Sequence, residues 1–310
     1  METAKQVSDS IAVAAHAKVN LFLRVLAREQ SGFHSLETLF ALLELHDTLT
    51  VERVADGIEL QVDGADTGPV EENLVYRAAG MVLEATGTKF GVRVHLHKSI
   101  PVRAGLGGGS TDGAAALHAV NALADGRVPR HEILQLAAKL GSDVAFFASG
   151  APMALGWGRG ERLFAIRPPH PAHVLVAVPH FGVSTAKAYR LLADSRARDV
   201  RRGSVLLDAA AFETWGGIGR LGGNDFEPVV FGKEPLLRDL FERMAQTRPL
   251  MVRMSGSGSA VFAIYKNATD LDAAAMALGE RDQMLIRTMT RGEPVAGPAQ
   301  NPFHWQSDHQ

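Results

Sequence analysis

Lys18 and Asn20 stand two residues apart in "VAAHAKVNLFLRV", where Ala17, Val19, Leu21, Leu23 and Val25 share one face and Lys18, Asn20, Phe22 and Arg24 the other. Side chains two apart on a strand point the same way. An ammonium and an amide would thus act on one spot. They suit an anion or a charge that develops during a reaction, and they equally suit a solvated sheet edge. Asp143, in "GSDVAFF", is a carboxylate able to take a proton, although an aspartate so placed ordinarily caps a helix. Between these groups runs "IPVRAGLGGGSTDGAAAL". Gly105, Gly107, Gly108 and Gly109 remove side chains, so the backbone can approach a ligand and take φ > 0 without strain. Successive N–H groups form a concave anion site, and the alanine-rich helix behind adds the positive end of its dipole and unpaired donors. Ser110 or Thr111 is expected to cap that helix. The loop looks shaped for phosphate, while a tight strand-to-helix turn would use the same glycines. It is neither G-x-x-x-x-G-K-[ST] nor G-x-G-x-x-G, because Ser110 stands where the third glycine would be, and no G-x-S-x-G occurs.

The elements that must position these groups follow from periodicity. Alternation predicts a strand over 17–25, and "DTLTVERV" and "GIELQVDG" read as paired strands. "ENLVYRAAGMVLEATG" predicts a helix stopped by Gly87, and "GVRVHLHKSIP" a strand ending at Pro101. A helix to about Ala124, a second in "RHEILQLAAKLG", a short element in "SDVAFFASG" and two strands around a glycine turn in "APMALGWGRGERLFAI" follow. After "RPPHPA" the pattern changes, which divides the chain into 1–166 and 167–310. With its middle helices set aside, the second unit reads β-α-β-β-α-β, a ferredoxin-like order. The segment from Gly292 to Gln310 reads as a loose tail.

Composition narrows the function classes. The chain has 310 residues, 46% hydrophobic and 21% charged, with no cysteine and a formal net charge of −2. That is an ordinary globular balance, with no disulfide or thiolate metal site. No global basic field exists to hold nucleic acid or an anionic membrane, and 6% aromatic residues make a poor base-stacking platform. No charged-then-apolar leader and no long apolar run is present, so a cytoplasmic protein is expected. "HEILQ" at His131 misses H-E-x-x-H because Gln135 replaces the second histidine, and His95 and His97 share a strand face without visible partners. No metal-binding residues are predicted.

Eight stretches in order, "AKVNLFL", "SGFHSLETLF", "IPVRAGLGGGSTDGAAAL", "GSDVAFF", "GRGERL", "GVST", "NDFEP" and "RMSGSGSAVFAIY", resemble the GHMP small-molecule kinases from residue 13 to about 290. In detail they look like the branch whose alcohol acceptor is CDP-methylerythritol, in non-mevalonate isoprenoid synthesis. The resemblance implies an α+β fold with a ribosomal-protein-S5-like N-terminal domain, a ferredoxin-like C-terminal domain and an active site between them. It makes Lys18 the catalytic lysine, Asp143 the base and Asn20 a substrate contact. With Lys18 beside it, Asp143 would take the proton late, as charge moves to phosphorus. Pro101, Val102, Arg103, Ala104, Gly105, Leu106, Gly107, Gly108, Gly109, Ser110 and Thr111 match the ATP-phosphate loop. Lys98 would reach the nucleotide, or be a strand-end lysine; Asn73 would lie near the adenine, or cap a helix. Mg2+ would arrive with ATP, with Ser110 as a possible extra ligand and no carboxylate cage. Phe33 would stack on cytosine, His34 bond its edge, Tyr189 cover the other face, and Gly256 and Ser257 line the pocket. Phe33 replaces a more usual tyrosine, Ala145 and His16 more usual prolines. A homoserine or mevalonate kinase is disfavoured by Phe33–His34 and "NDFEP", and a non-catalytic nucleotide-binding protein by intact Lys18 and Asp143. The implied partners are small molecules, not nucleic acid or membrane, and the chain could work as monomer or homodimer.

Overall fold

The computed structural model describes residues 9–28, 34–196, 207–280 and 282–295. Its frame is one long antiparallel pair, β1 (Ser10–Arg28) and β2 (His34–Val54), of 19 and 21 residues. Irregularities between His16 and Lys18, Asn20 and Phe22, and Val25 and Ala27 break the register. Such bulges re-aim side chains locally. The alternation would suit a strand with one wet face, yet every residue from Ala15 to Leu23 is buried, because both faces of the sheet are covered.

Then come β3 (Ile58–Asp63), α1 (Leu74–Thr86), β4 (Gly91–His97), α2 (Gly108–Leu123), α3 (Arg130–Leu140), α4 (Ser142–Ser149), β5 (Met153–Gly158) and β6 (Arg162–Ala165). Gly87 ends α1 in the left-handed conformation, at φ 59°, as its place in the sequence predicts. The sheet order is β3-β4-β2-β5-β6, with β1 paired to β2. The expected hairpin of "DTLTVERV" with "GIELQVDG" does not form: β4 lies between them, parallel to β3 and antiparallel to β2. Val92, Val94 and Leu96 of β4 are fully buried, whereas β3 alternates half-buried and exposed. The more apolar strand takes the interior place and the more polar one the edge.

The second unit holds β7 (His173–Pro179), α5 (Thr185–Arg196), α6 (Trp215–Arg220), α7 (Glu227–Phe231), α8 (Pro235–Gln246), β8 (Met251–Met254), β9 (Val261–Tyr265), α9 (Ala268–Leu278) and β10 (Gln283–Met289). Its sheet, β10-β7-β9-β8, is antiparallel throughout, the ferredoxin-like arrangement with α5, α6 and α7 inserted ahead of α8. "HVLVAVP" is apolar without alternation because both of its faces are covered. Val174 and Val176 pack with Val19, Leu21 and Leu39 of the first sheet, while Leu175 and Ala177 lie under Leu237 and Leu240 of α8 and Leu271 of α9. On the far face of the first sheet, Val75, Leu117, Val120 and Ile133 cover Leu49, Val51 and Val94. Of the expected loose tail, only 292–295 lies within the described residues. Among the described residues, no helix is long and apolar enough to cross a membrane.

Candidate active site

The two units meet at the middle of β1. Lys18 is 3% exposed, and its backbone N–H donates to the carbonyl of Leu106, 2.9 Å away in the glycine loop. Its ammonium lies 2.5 Å from Asn20 Oδ1 and 3.5 Å from Asp143 Oδ2. Asn20 is oriented from behind: its amide donates to Thr38 Oγ1 at 2.9 Å, and that hydroxyl donates to the carbonyl of Phe22 at 2.7 Å. The amide nitrogen is thereby committed, and the oxygen faces Lys18. Lys18 and Asn20 therefore belong to a buried, ordered pair and not to a solvated edge.

Asp143 does not cap α4. Gly141 is the N-cap residue and supplies no side-chain bond; Asp143 stands in the first turn. Its side chain is 34% exposed and faces Lys18, so the carboxylate is accessible from the space between the units.

The glycine loop differs from expectation at its end. Neither Ser110 nor Thr111 caps α2, because Gly107, left-handed at φ 76°, starts the helix at Gly108 and leaves both inside the first turn, with no side-chain cap bond. The Thr111 N–H donates to the carbonyl of Gly107 at 2.9 Å, while the amides of Gly108, Gly109 and Ser110 ahead of it remain available to an anion. Packing explains most of the glycines. A Cβ on Gly105 would lie 2.3 Å from the carbonyl of Ser255, one on Gly107 2.6 Å from the Phe147 ring, and one on Gly108 3.2 Å from Ile100. At Gly109 a Cβ would meet nothing within 4 Å, so here the missing side chain leaves room outside the protein's own packing. Ala104 and Leu106 are buried, Pro101 half-buried, and Val102 and Arg103 exposed.

Two expected nucleotide contacts have other work. Lys98 is buried and its ammonium is held between Asp47 and Asp112. Burial pushes the Asp112 carboxyl up to about 7, against the pull of Lys98. Asn73 caps α1, its oxygen accepting the N–H of Val75 at 2.9 Å and its amide donating to Thr67 Oγ1 at 3.1 Å.

His34, at the start of β2, stacks on Tyr189 of α5, with ring centroids 4.8 Å apart and planes 23° from parallel. Tyr189 meets Phe226 edge-on at 4.9 Å. Burial raises the Tyr189 phenol above its ordinary range, and the Asp143 charge adds to the shift. Phe33 lies outside the described residues.

The second glycine turn closes the site. Gly256, at φ 58°, brings its backbone so near that an added Cβ would stand 3.6 Å from Asn20 Oδ1 and 3.7 Å from Lys18 Nζ. Ser257 Oγ shares a hydrogen bond of 2.9 Å with Thr185 Oγ1. Asn224, which residue-by-residue reading passed over although "NDFEP" stood out as a motif, holds this turn: its amide donates to the carbonyls of Met254 at 2.8 Å and Gly256 at 2.6 Å. Thr38 and Asp47 were equally unmarked by local sequence, since their partners are distant in the chain. His95 and His97 do have a partner, the Asp63 carboxylate of β3, at 3.3 and 2.9 Å. Among the described residues, no group of three or more His, Asp or Glu could hold a metal ion. A separate cavity of about 420 Å³ lies on the other side of α2 and shares only Thr111 and Phe147 with the groups above.

Residues 73–151 match the family model of the GHMP kinases N terminal domain, and residues 206–282 that of the GHMP kinases C terminal. The chain is 37% identical over 291 residues to a 4-diphosphocytidyl-2-C-methyl-D-erythritol kinase of Pelotomaculum thermopropionicum, covering 90% of this chain and 98% of the relative. A crystal structure of 4-(cytidine 5'-diphospho)-2C-methyl-D-erythritol kinase superposes with a TM-score of 0.78 at 37% identity, covering 91% of this chain and 100% of that one. The homoserine kinase of Cytophaga hutchinsonii shares the fold, with a TM-score of 0.68 at 18% identity over 96% of this chain and 99% of that one.

Proposed function

The chain belongs to the GHMP kinases, in the branch of the 4-diphosphocytidyl-2-C-methyl-D-erythritol kinases, and on that premise we propose how its residues divide the work of the reaction. The reaction is the ATP-dependent phosphorylation of the 2-hydroxyl of CDP-methylerythritol, which yields the 2-phosphate and ADP in non-mevalonate isoprenoid synthesis.

One observation carries the assignment. Lys18 is tied through its backbone to Leu106 of the glycine loop and through its ammonium to Asp143, so the helix turn with unspent amides and the candidate base share one residue. In this reading the first turn of α2 holds the phosphates of ATP. Gly109 supplies the open approach, and Pro101–Leu106 form the wall behind. The substrate hydroxyl lies against Asp143. The bond from its oxygen to the γ-phosphorus forms as the bond to ADP breaks, and the hydroxyl proton passes to Asp143. Lys18 offsets charge on the transferring group, and Asn20, fixed through Thr38, orients the acceptor. Phosphoryl transfer asks mainly for positioning and electrostatics, which a rigid, buried pair provides. Mg2+ carried by ATP would neutralise phosphate oxygens. The residues fit it: the Ser110 hydroxyl lies in the uncapped turn and has no hydrogen-bond partner among the described residues. His34, Tyr189 and Phe33 would hold the cytosine, with Gly256 and Ser257 beneath the sugar-phosphate portion. The division of labour falls between 1–166 and 167–310.

The test is ADP release in the presence of magnesium, with CDP-methylerythritol, homoserine and mevalonate offered in turn. Turnover is expected only with the cytidine-bearing alcohol. Preference for either of the others overturns the assignment of His34 and Tyr189.

A further inference from the structure

Beneath the glycine loop lies a charged cluster that the transfer step does not use. Asp47, Lys98 and Asp112 are 0%, 6% and 2% exposed. Asp47 Oδ1 accepts the N–H of Ser99 at 2.5 Å and of Ile100 at 2.7 Å. Its Oδ2 accepts from Lys98 Nζ, which also donates to Asp112 Oδ2 at 2.6 Å. Ser99 and Ile100 begin the loop, and Asp112 lies in the helical turn that ends it. A single ammonium therefore joins the two ends of the segment. Asp112 Oδ1 is buried without a partner among the described residues. A cluster with an unsatisfied carboxylate oxygen is a poor source of stability compared with apolar side chains of similar size. Its geometric effect is the better account of it. Gly108 confirms the close fit, since a Cβ there would sit 3.2 Å from Lys98 Nζ.

We propose that Asp47, Lys98 and Asp112 are positioning residues for nucleotide binding: they hold both ends of the glycine loop so that the first-turn amides of α2 meet the phosphates. This rests on the reading that the loop holds ATP. The three act through the loop, since the Lys98 ammonium is spent on the two carboxylates. Asp112→Ala removes one tie and leaves Asp47 and Lys98 as a balanced pair. Asp112→Asn keeps an oxygen for Lys98 to donate to.

The experiment measures steady-state KM for ATP and for CDP-methylerythritol, and affinity for a non-hydrolysable ATP analogue by calorimetry. For Asp112→Ala we expect the ATP KM and the analogue Kd to rise about tenfold or more, the scale of a small misplacement of binding groups, with the alcohol KM within about twofold of the parent. Asp112→Asn should recover most of the loss. If Asp112→Ala does not fold, Asp112→Ser makes the same test, because its hydroxyl is too short to reach Lys98. Unchanged ATP affinity, an equal rise in both KM values, or failure of the asparagine to rescue overturns the proposal. Gly109→Ala separates the two layers. If it weakens ATP binding while Asp112→Ala does not, the cluster proposal alone fails. If Gly109→Ala also leaves ATP binding unchanged, the phosphate-loop reading fails with it.

Discussion

A buried ammonium must find charge or dipole to remain inside a protein, and Lys18 finds Asn20 at 2.5 Å and Asp143 at 3.5 Å. Its period-two spacing from Asn20 made the pair legible in the sequence. Thr38, which turns the Asn20 oxygen toward Lys18, was not, because only the pairing of β1 with β2 brings it there. The role of Asp143 was only half legible: whether an aspartate after Gly-Ser caps a helix or stands free within it depends on the backbone angles of Gly141. Since Asp143 supplies no cap, Asp143→Asn should preserve α4 and lose only the proton acceptor. We expect kcat to fall by about 10²–10⁴ with the ATP-analogue Kd within about threefold, measured by stopped ADP-release assays and calorimetry. Near-normal turnover would remove Asp143 from the base role. Lys18→Met should slow turnover by about 10²–10³ and lower the thermal midpoint as well, because the buried Asn20 Oδ1 loses the ammonium it accepts from.

At the scale of elements, the glycine loop was recognisable by composition, but the start of its helix was not. Ser110 and Thr111 are good caps by type, yet the left-handed turn at Gly107 begins α2 before either can serve. The loop's glycines also look alike in sequence and differ in the fold. At Gly107 an alanine would need φ 76° and would press on the Phe147 ring, with Lys18 Cγ at 3.1 Å. That variant should lose stability and activity together. At Gly109 no atom stands within 4 Å of an added Cβ, and Ala is the better helix former by about 1 kcal/mol. Gly109→Ala should therefore melt at the parent temperature or above, yet bind ATP more weakly, because the methyl occupies the approach to the first-turn amides. A thermal scan beside an ATP titration decides it. Loss of stability at Gly109 with unchanged ATP affinity would mean that the open space there serves no ligand. Strand partnership was likewise beyond local reading: β3 is adjacent to β2 in sequence, but the more apolar β4 takes the place between them.

For the whole molecule, the order β-α-β-β-α-β was legible because each element needs only its own period, whereas the way the two sheets share a core was not. A strand such as "HVLVAVP" reveals that both faces are covered, not what covers them. The last strand also returns to the first unit. Just after it, Thr290 forms an antiparallel bridge with Leu43, and the Arg291 N–H donates to the carbonyl of Leu42 at 2.9 Å. The Arg291 guanidinium meets Glu44 at 2.6 Å and lies 3.5 Å from His16 Nδ1. His16 is 7% exposed and its Nδ1 faces the carbonyl of Leu43 at 3.0 Å. Burial first, then Arg291 and His46, lower its pKa from 6.5 to about 4, with the Leu43 carbonyl opposing. In the unfolded chain His16 takes its proton near pH 6.5; in the folded protein it resists until about pH 4. Its stability contribution is thus intact above pH 6.5 and is lost as the pH falls toward 4, at about 1.4 kcal/mol per unit. His16→Gln can still donate to Leu43 but cannot titrate. Between pH 7.5 and 4.5, urea unfolding should show the parent losing about 2–3 kcal/mol more than His16→Gln. Equal losses would mean that His16 is already charged in the folded state, and that the seam between the first strand and the last tolerates two cations side by side.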